Sequence, residues 1–189
     1  MAKHKETKTP VGRFLFPKLT PGDPDIYTPA NGGEVRKYKT GIVYDDMEEL
    51  SEFKQLCQST LDDFMEANGI PPETPIKEYI TPNSYEKDGE VITDGFVINV
   101  DMKAMYMKGG KIVNTVPKRF GADGKPLADD VEILGGSTGR AHVALKPYHY
   151  TDKGYVGLRL MLYAVQVKEL YGGESGFDAL IEEDCFDEA

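Results

Sequence analysis

Over residues 140–167 the chain alternates cationic or aromatic side chains with apolar ones in two consecutive runs. Arg140, His142, Ala144, Lys146, Tyr148 and Tyr150 take the even positions of the first run, and Ala141, Val143, Leu145 and Pro147 the odd ones. The second run reverses the parity, with Tyr155, Gly157, Arg159, Met161 and Tyr163 alternating with Val156, Leu158, Leu160, Leu162 and Ala164. Neighbouring side chains of a strand point to opposite faces. Two adjacent strands of this kind would share an apolar core face and a basic, aromatic outer face. Arginine and lysine neutralise phosphates, and each base stacked on an aromatic ring is worth about 1–3 kcal/mol, whatever the base. Such a face suits the capture of an unpaired polynucleotide. Tyrosine and lysine are also common on any solvated sheet face, so one strand alone would decide little; two adjacent strands weigh more.

Net charge argues the other way until its distribution is examined. The 189 residues carry a formal charge of −10. Residues 174–189 hold seven acids and no base, which leaves 25 acids against 22 bases, net −3, for the rest. Within residues 140–168 five bases face a single acid, Asp152. Local field, and not total charge, governs where a polyanion docks, and the acidic tail would compete for the same patch. No apolar run reaches the roughly 18 residues of a membrane span, and MAKHKETKTP lacks a hydrophobic signal core. A soluble, cytoplasmic chain without membrane association is expected. Cys57 and Cys185 have no metal-ligand spacing and read as free thiols of a reducing compartment.

The elements that must position the outer face read as mainly β, with one principal helix. Residues 1–11 read as a flexible basic arm, residues 12–19 as a first strand, residues 21–33 as a loop, and residues 34–44 as a second strand carrying Arg36 and Tyr38. Met47, Leu50, Phe53, Leu56, Cys57, Leu61, Phe64 and Met65 recur at helical spacing, with Asp45 or Asp46 as the cap and Gly69 and Pro71 as the stop. This stripe is core, and Cys57 within it a small buried hydrophobe. Residues 74–94 read as irregular, and strand character resumes over residues 95–107, which include Lys103 and Tyr106. In the glycine-rich residues 109–139, Lys118-Arg119-Phe120 is either an exposed grip on a nucleic-acid strand or a hairpin tip with the phenylalanine folded in.

Catalytic motifs are not expected. Residues 135–140, GGSTGR, lack the Gly-Lys-Ser/Thr ending of a phosphate-binding loop and enter a strand instead of a helix. His142 and His149 fall on opposite strand faces, and with His4 they make no metal site. Asp45-Asp46 and Asp129-Asp130 read as caps and solvated turns. No cofactor, metal or enzymatic activity is expected.

VALKPY at residues 143–148, GLRL at residues 157–160 running into AVQVKEL at residues 164–170, and the acidic tail together resemble the bacteriophage single-stranded DNA-binding proteins built on an OB-fold. The resemblance implies a five-stranded, partly open Greek-key barrel over residues 12–172, with the helix between early strands. It implies sequence-independent binding of single-stranded DNA, coating and protecting it during phage DNA replication, recombination or repair. The residues expected to meet DNA are Arg36, Tyr38, Lys103, Tyr106, Phe120, Arg140, Lys146, Tyr148, Tyr150, Arg159 and Tyr163, the cations on phosphates and the rings on bases. It further implies that the tail, residues 173–189, occludes the groove in the absence of DNA and recruits replication proteins such as polymerase or helicase/primase. Glu182, Glu183, Asp184, Phe186, Asp187 and Glu188 would carry that contact, although Phe186 is not the terminal residue here. Monomer and homodimer are both open. The alternative from another class is a non-catalytic interaction adaptor, an OB or sandwich domain whose basic patch meets an acidic protein.

Overall fold

The computed structural model describes residues 4–172. In chain order these form β1 (Lys5–Lys8), β2 (Gly12–Lys18), β3 (Asp25–Tyr27), β4 (Val35–Tyr44), α1 (Ser51–Ala67), β5 (Ile80–Lys87) and β6 (Glu90–Lys103). There follow β7 (Met105–Lys108), β8 (Lys111–Asn114), β9 (Lys118–Phe120), β10 (Thr138–Tyr150) and β11 (Tyr155–Glu169). Five of them close into a ring in the order β2-β4-β6-β11-β10, and β10 returns to β2. This is an OB-fold barrel with its helix between the second and third barrel strands. The expected partly open barrel is in fact closed, through short pairings. Thr138 and Gly139 meet Arg13 and Gly12, and Leu160 and Met161 run parallel to Val100 and Asp101. The long β10–β11 hairpin supplies most of the wall.

Alternation fills the barrel. Ile42, Tyr44, Ile98, Val100, Val143, Leu145, Leu160, Leu162 and Val165 are all buried in one apolar cluster. Helix α1 adds Phe53, Cys57, Leu61 and Met65, spaced four apart on one stripe, and packs against β10 and β11. Burial pushes the Cys57 thiol up to about 12, so it is an inert core group. The Tyr44 hydroxyl donates to the Pro10 carbonyl at 2.9 Å.

The helix begins later than its sequence predicts. Asp46 accepts the N–H groups of Glu48 and Glu49, and Glu49 accepts those of Asp45 and Asp46. The expected cap therefore folds the preceding turn, and the helix starts at Ser51 after Leu50, which makes no side-chain cap. At the other end the expectation holds: Gly69 N–H donates to Glu66 and Ile70 N–H to Met65, a Schellman closure with Ile70 buried.

Other expectations need correction. Residues 5–8 are no free arm; they pair antiparallel with residues 142–145 of β10, and Thr9 extends the seam by exchanging hydrogen bonds with Ala141. The reason is that β10 pairs with β2 only at Thr138 and Gly139, which leaves the rest of that edge to be covered. Residues 74–94, expected as irregular, hold β5 and the start of β6, joined by a two-residue turn at Asp88-Gly89 in which both φ angles are positive. Short β3, β8 and β9 lie in segments expected as loops.

Candidate nucleic-acid interface

The outer wall of the β10–β11 hairpin is built from directly opposed pairs. Tyr150 faces Tyr155, Tyr148 faces Gly157, Lys146 faces Arg159, and Ala144 faces Met161. Side chains two apart along a strand stand about 6.6 Å from each other, so the row from Arg140 to Tyr150 spans roughly 33 Å. Beyond Met161 the register shifts by one residue. Tyr163 is the extra residue of this bulge, and it stays on the outer side with its ring edge-on to His142 at 5.8 Å. The shift also carries Ala164 onto the outer face opposite His142, correcting its assignment to the core face. Past the bulge Arg140 donates twice to the Gln166 amide oxygen, at 3.1 and 2.9 Å. At the far end the rings of Tyr148, Tyr155 and Tyr150 form a cluster with centroids 5.5 to 6.4 Å apart, flanked by the ammonium groups of Lys77 and Lys153. Gly157 is needed beneath it, because a Cβ there would come within 2.3 Å of the Tyr148 ring.

Strands β6 and β4 continue the wall. Asp101 on β6 is clamped by two cations: Arg159 donates to Oδ1 from both Nε and Nη2, and Lys37 donates to Oδ2 at 3.2 Å. One carboxylate against two cations leaves a local surplus of positive charge. These residues line a groove of about 510 Å³ together with Lys77, Tyr79 and Tyr148. Burial pushes the Tyr79 phenol up to about 12, with Cys57 and Asp62 adding to the shift, and its hydroxyl lies 3.4 Å from the Lys54 carbonyl on α1. Lys103 stands opposite Lys37 on the adjacent strand. Lys39, two residues along, is paired with Asp25 at 2.7 Å. The wall can therefore offer cations to a phosphate chain and flat rings to bases, on a rigid sheet.

Solved structures share this architecture. The single-stranded DNA-binding protein gp2.5 of bacteriophage T7 aligns at a TM-score of 0.61 and 20% identity, over 96% of this chain and 97% of that one. The chain has the same OB-fold. The single-stranded DNA-binding protein of bacteriophage Enc34, solved in complex with single-stranded DNA, aligns at 0.56 and 15% identity over 87% and 86% of the two chains. Its C-terminal truncation aligns at 0.54 and 15% identity over 87% and 85%. No protein-family model and no curated protein sequence matches the chain.

In this OB-fold Arg140, Lys146, Tyr148, Tyr150, Arg159 and Tyr163 share the β10–β11 wall, and Lys103 joins it from β6. Phe120 reaches it from β9, which runs parallel to β11 and sets Phe120 beside Gln166. With Arg140, His142 and Lys8 it lines a hollow of about 260 Å³. Its neighbour Arg119 turns inward: it is buried, and its guanidinium donates to the carbonyls of Val131 and Ala128 at 2.6 Å. Desolvation lowers its pKa, against the pull of Asp129 and Asp130. Lys118-Arg119-Phe120 is thus neither an exposed grip nor a hairpin tip. Tyr106 stands apart, exposed on the separate β7–β8 hairpin.

Two expected residues have the wrong parity. Tyr38 is 3% exposed and its hydroxyl accepts the Gly22 N–H at 3.1 Å, so its ring is not available to stack on a base. Arg36 shares that parity and pairs with Glu34 near the strand end. The outward residues of β4 are Lys37 and Lys39, which were not among the residues expected from the sequence. Lys77, Tyr79 and Tyr155 were also missed as site residues, though Tyr155 lay in the outward register of its own strand. Glu182, Glu183, Asp184, Phe186, Asp187 and Glu188, together with Cys185, lie outside the described residues.

Proposed function

We propose that the chain binds single-stranded DNA without sequence preference, laying it along the outer wall of β10 and β11 and across β6 to β4. The observation that carries this reading is the gathering of cations and rings on one wall, from Phe120 and Arg140 through Tyr163, Lys146 and Arg159 to Tyr148, Tyr155 and Tyr150, interrupted only by the Ala144–Met161 pair and the small or amide residues past the bulge. The shared fold with two phage proteins named for the same binding supports it. Cations meet phosphates and rings meet bases, which gives affinity without readout. Binding of this type coats unpaired DNA in replication, recombination or repair, keeps it open and shields it from nucleases. No helix among the described residues is long and apolar enough to cross a membrane. The acidic residues 174–189 compete for the wall and serve as the contact for replication proteins.

Replacing both Tyr148 and Tyr163 by alanine tests the site. Each ring is partly exposed on the wall and lies outside the core cluster, so the double variant should fold as the parent does by circular dichroism. Two stacked bases lost should weaken oligo-dT binding by about 2–6 kcal/mol. Unchanged affinity in the folded variant would move the site off this wall.

A further inference from the structure

Phe16 is 80% exposed, the most exposed large hydrophobic residue described. Its φ of +46° lies in the left-handed region that a bulky side chain rarely enters. It sits in β2 where the ladder to β4 loses register, between the pairs Leu15↔Gly41 and Lys18↔Lys39. The conformation is held from both sides. Phe14 is buried, and its N–H and carbonyl are tied to Ser137 and Gly136, at 2.8 and 2.9 Å, while Pro17 follows with no N–H to rejoin the ladder. Strain kept by its surroundings concentrates at binding sites, and here it holds an aromatic ring out in solvent.

What lies beside the ring gives it a role. On one side Phe16 borders a trough of about 310 Å³ lined by Lys39, Gly41, Asn99 and Asp101. Asn99 and Asp101 also line the 510 Å³ groove of Arg159 and Tyr148, so the two hollows adjoin across these two side chains. On its other side lies a hollow of about 380 Å³ with Arg13, Asn83 and Tyr85. The trough lies over Gly41, which has no side chain to block it. Its polar groups are the Lys39 ammonium, which would exchange Asp25 for a phosphate, the Asn99 amide, which suits base edges, and the Asp101 carboxylate, which Lys37 and Arg159 offset.

We infer that Phe16 is a base-stacking post at which a single strand, leaving the tyrosines of β10 and β11, crosses β6 and β4 and turns over β2. The inference rests on the single-stranded DNA reading above and extends its path by one strand, from β4 to β2. The chain contains no tryptophan, so Phe16→Trp gives a single reporter at this position. Titration with oligo-dT should quench its emission in step with the anisotropy of labelled DNA. Phe16→Ala, and Phe16→Gly, which also relieves the left-handed strain, should bind long oligo-dT about tenfold or more weakly, while still melting cooperatively as folded proteins. Oligonucleotides too short to reach past Asp101 should bind all variants alike. Tight binding by Phe16→Trp with constant emission, together with wild-type affinity in Phe16→Ala and Phe16→Gly, would overturn the inference and leave the β10–β11 wall standing. Failure of the unmodified protein to bind any oligo-dT would overturn both.

Discussion

Asp101 restrains two cations of the wall, Arg159 and Lys37. Its carboxylate occupies Arg159 and Lys37 while all three side chains remain partly solvated, so the cluster trades an internal pairing for a phosphate at modest cost. Asp101→Asn should free both cations and tighten oligo-dT binding several-fold at low salt. The salt dependence should steepen by about one unit for each further phosphate neutralised, read from affinities at several salt concentrations. Weaker binding would mean that Asp101 orients the cations and does not withhold them. The same wall shows why parity was legible in one strand and not in another. In β10 the apolar set Ala141, Val143 and Leu145 fixes which face is core. In β4 the run Arg36-Lys37-Tyr38-Lys39 has no apolar residue to set the phase, and choosing Arg36 and Tyr38 put the site one residue out of step. Tyr38 is amphipathic enough to be buried with its hydroxyl satisfied.

Among the elements, the β10–β11 hairpin and α1 were readable because each keeps one period over many residues. The helix stripe predicted as core is core: Leu61 is fully buried against the barrel. Leu61→Ala should cost about 2–5 kcal/mol, measured by urea denaturation, with the DNA affinity of the folded protein unchanged. A shift below about 1 kcal/mol would mean that the site collapses around the smaller side chain. Strand β5 escaped the sequence because its burial is partial at best and Pro82 and Asn83 interrupt it. The Asp88-Gly89 pair was the available hairpin signal, and it lay inside the segment read as irregular. Strand β1 is four residues long and takes its structure from the uncovered edge of β10, information that no local pattern holds. The bulge at Tyr163 was equally hidden, since only the pairing with β10 reveals the extra residue.

At the scale of the whole molecule, charge is divided between a wall rich in cations and an acidic terminal sequence. Removing residues 174–189 changes the formal charge from −10 to −3 and, on the proposed function, takes away an intramolecular competitor for the wall. Affinity for single strands should rise on deletion, most at low salt, where screening is weakest. Equal affinity with and without the tail would assign those acids to solubility or partner contact alone. Both effects are read in one experiment: fluorescence-anisotropy titration of labelled oligo-dT at several salt concentrations, with duplex competitor, for the full chain and for residues 1–173. Tight binding that weakens steadily with salt, resists duplex competition and strengthens on tail removal is the expected result. No binding by either form at low salt would contradict the single-stranded DNA reading and leave the basic, aromatic wall as a surface for an acidic protein.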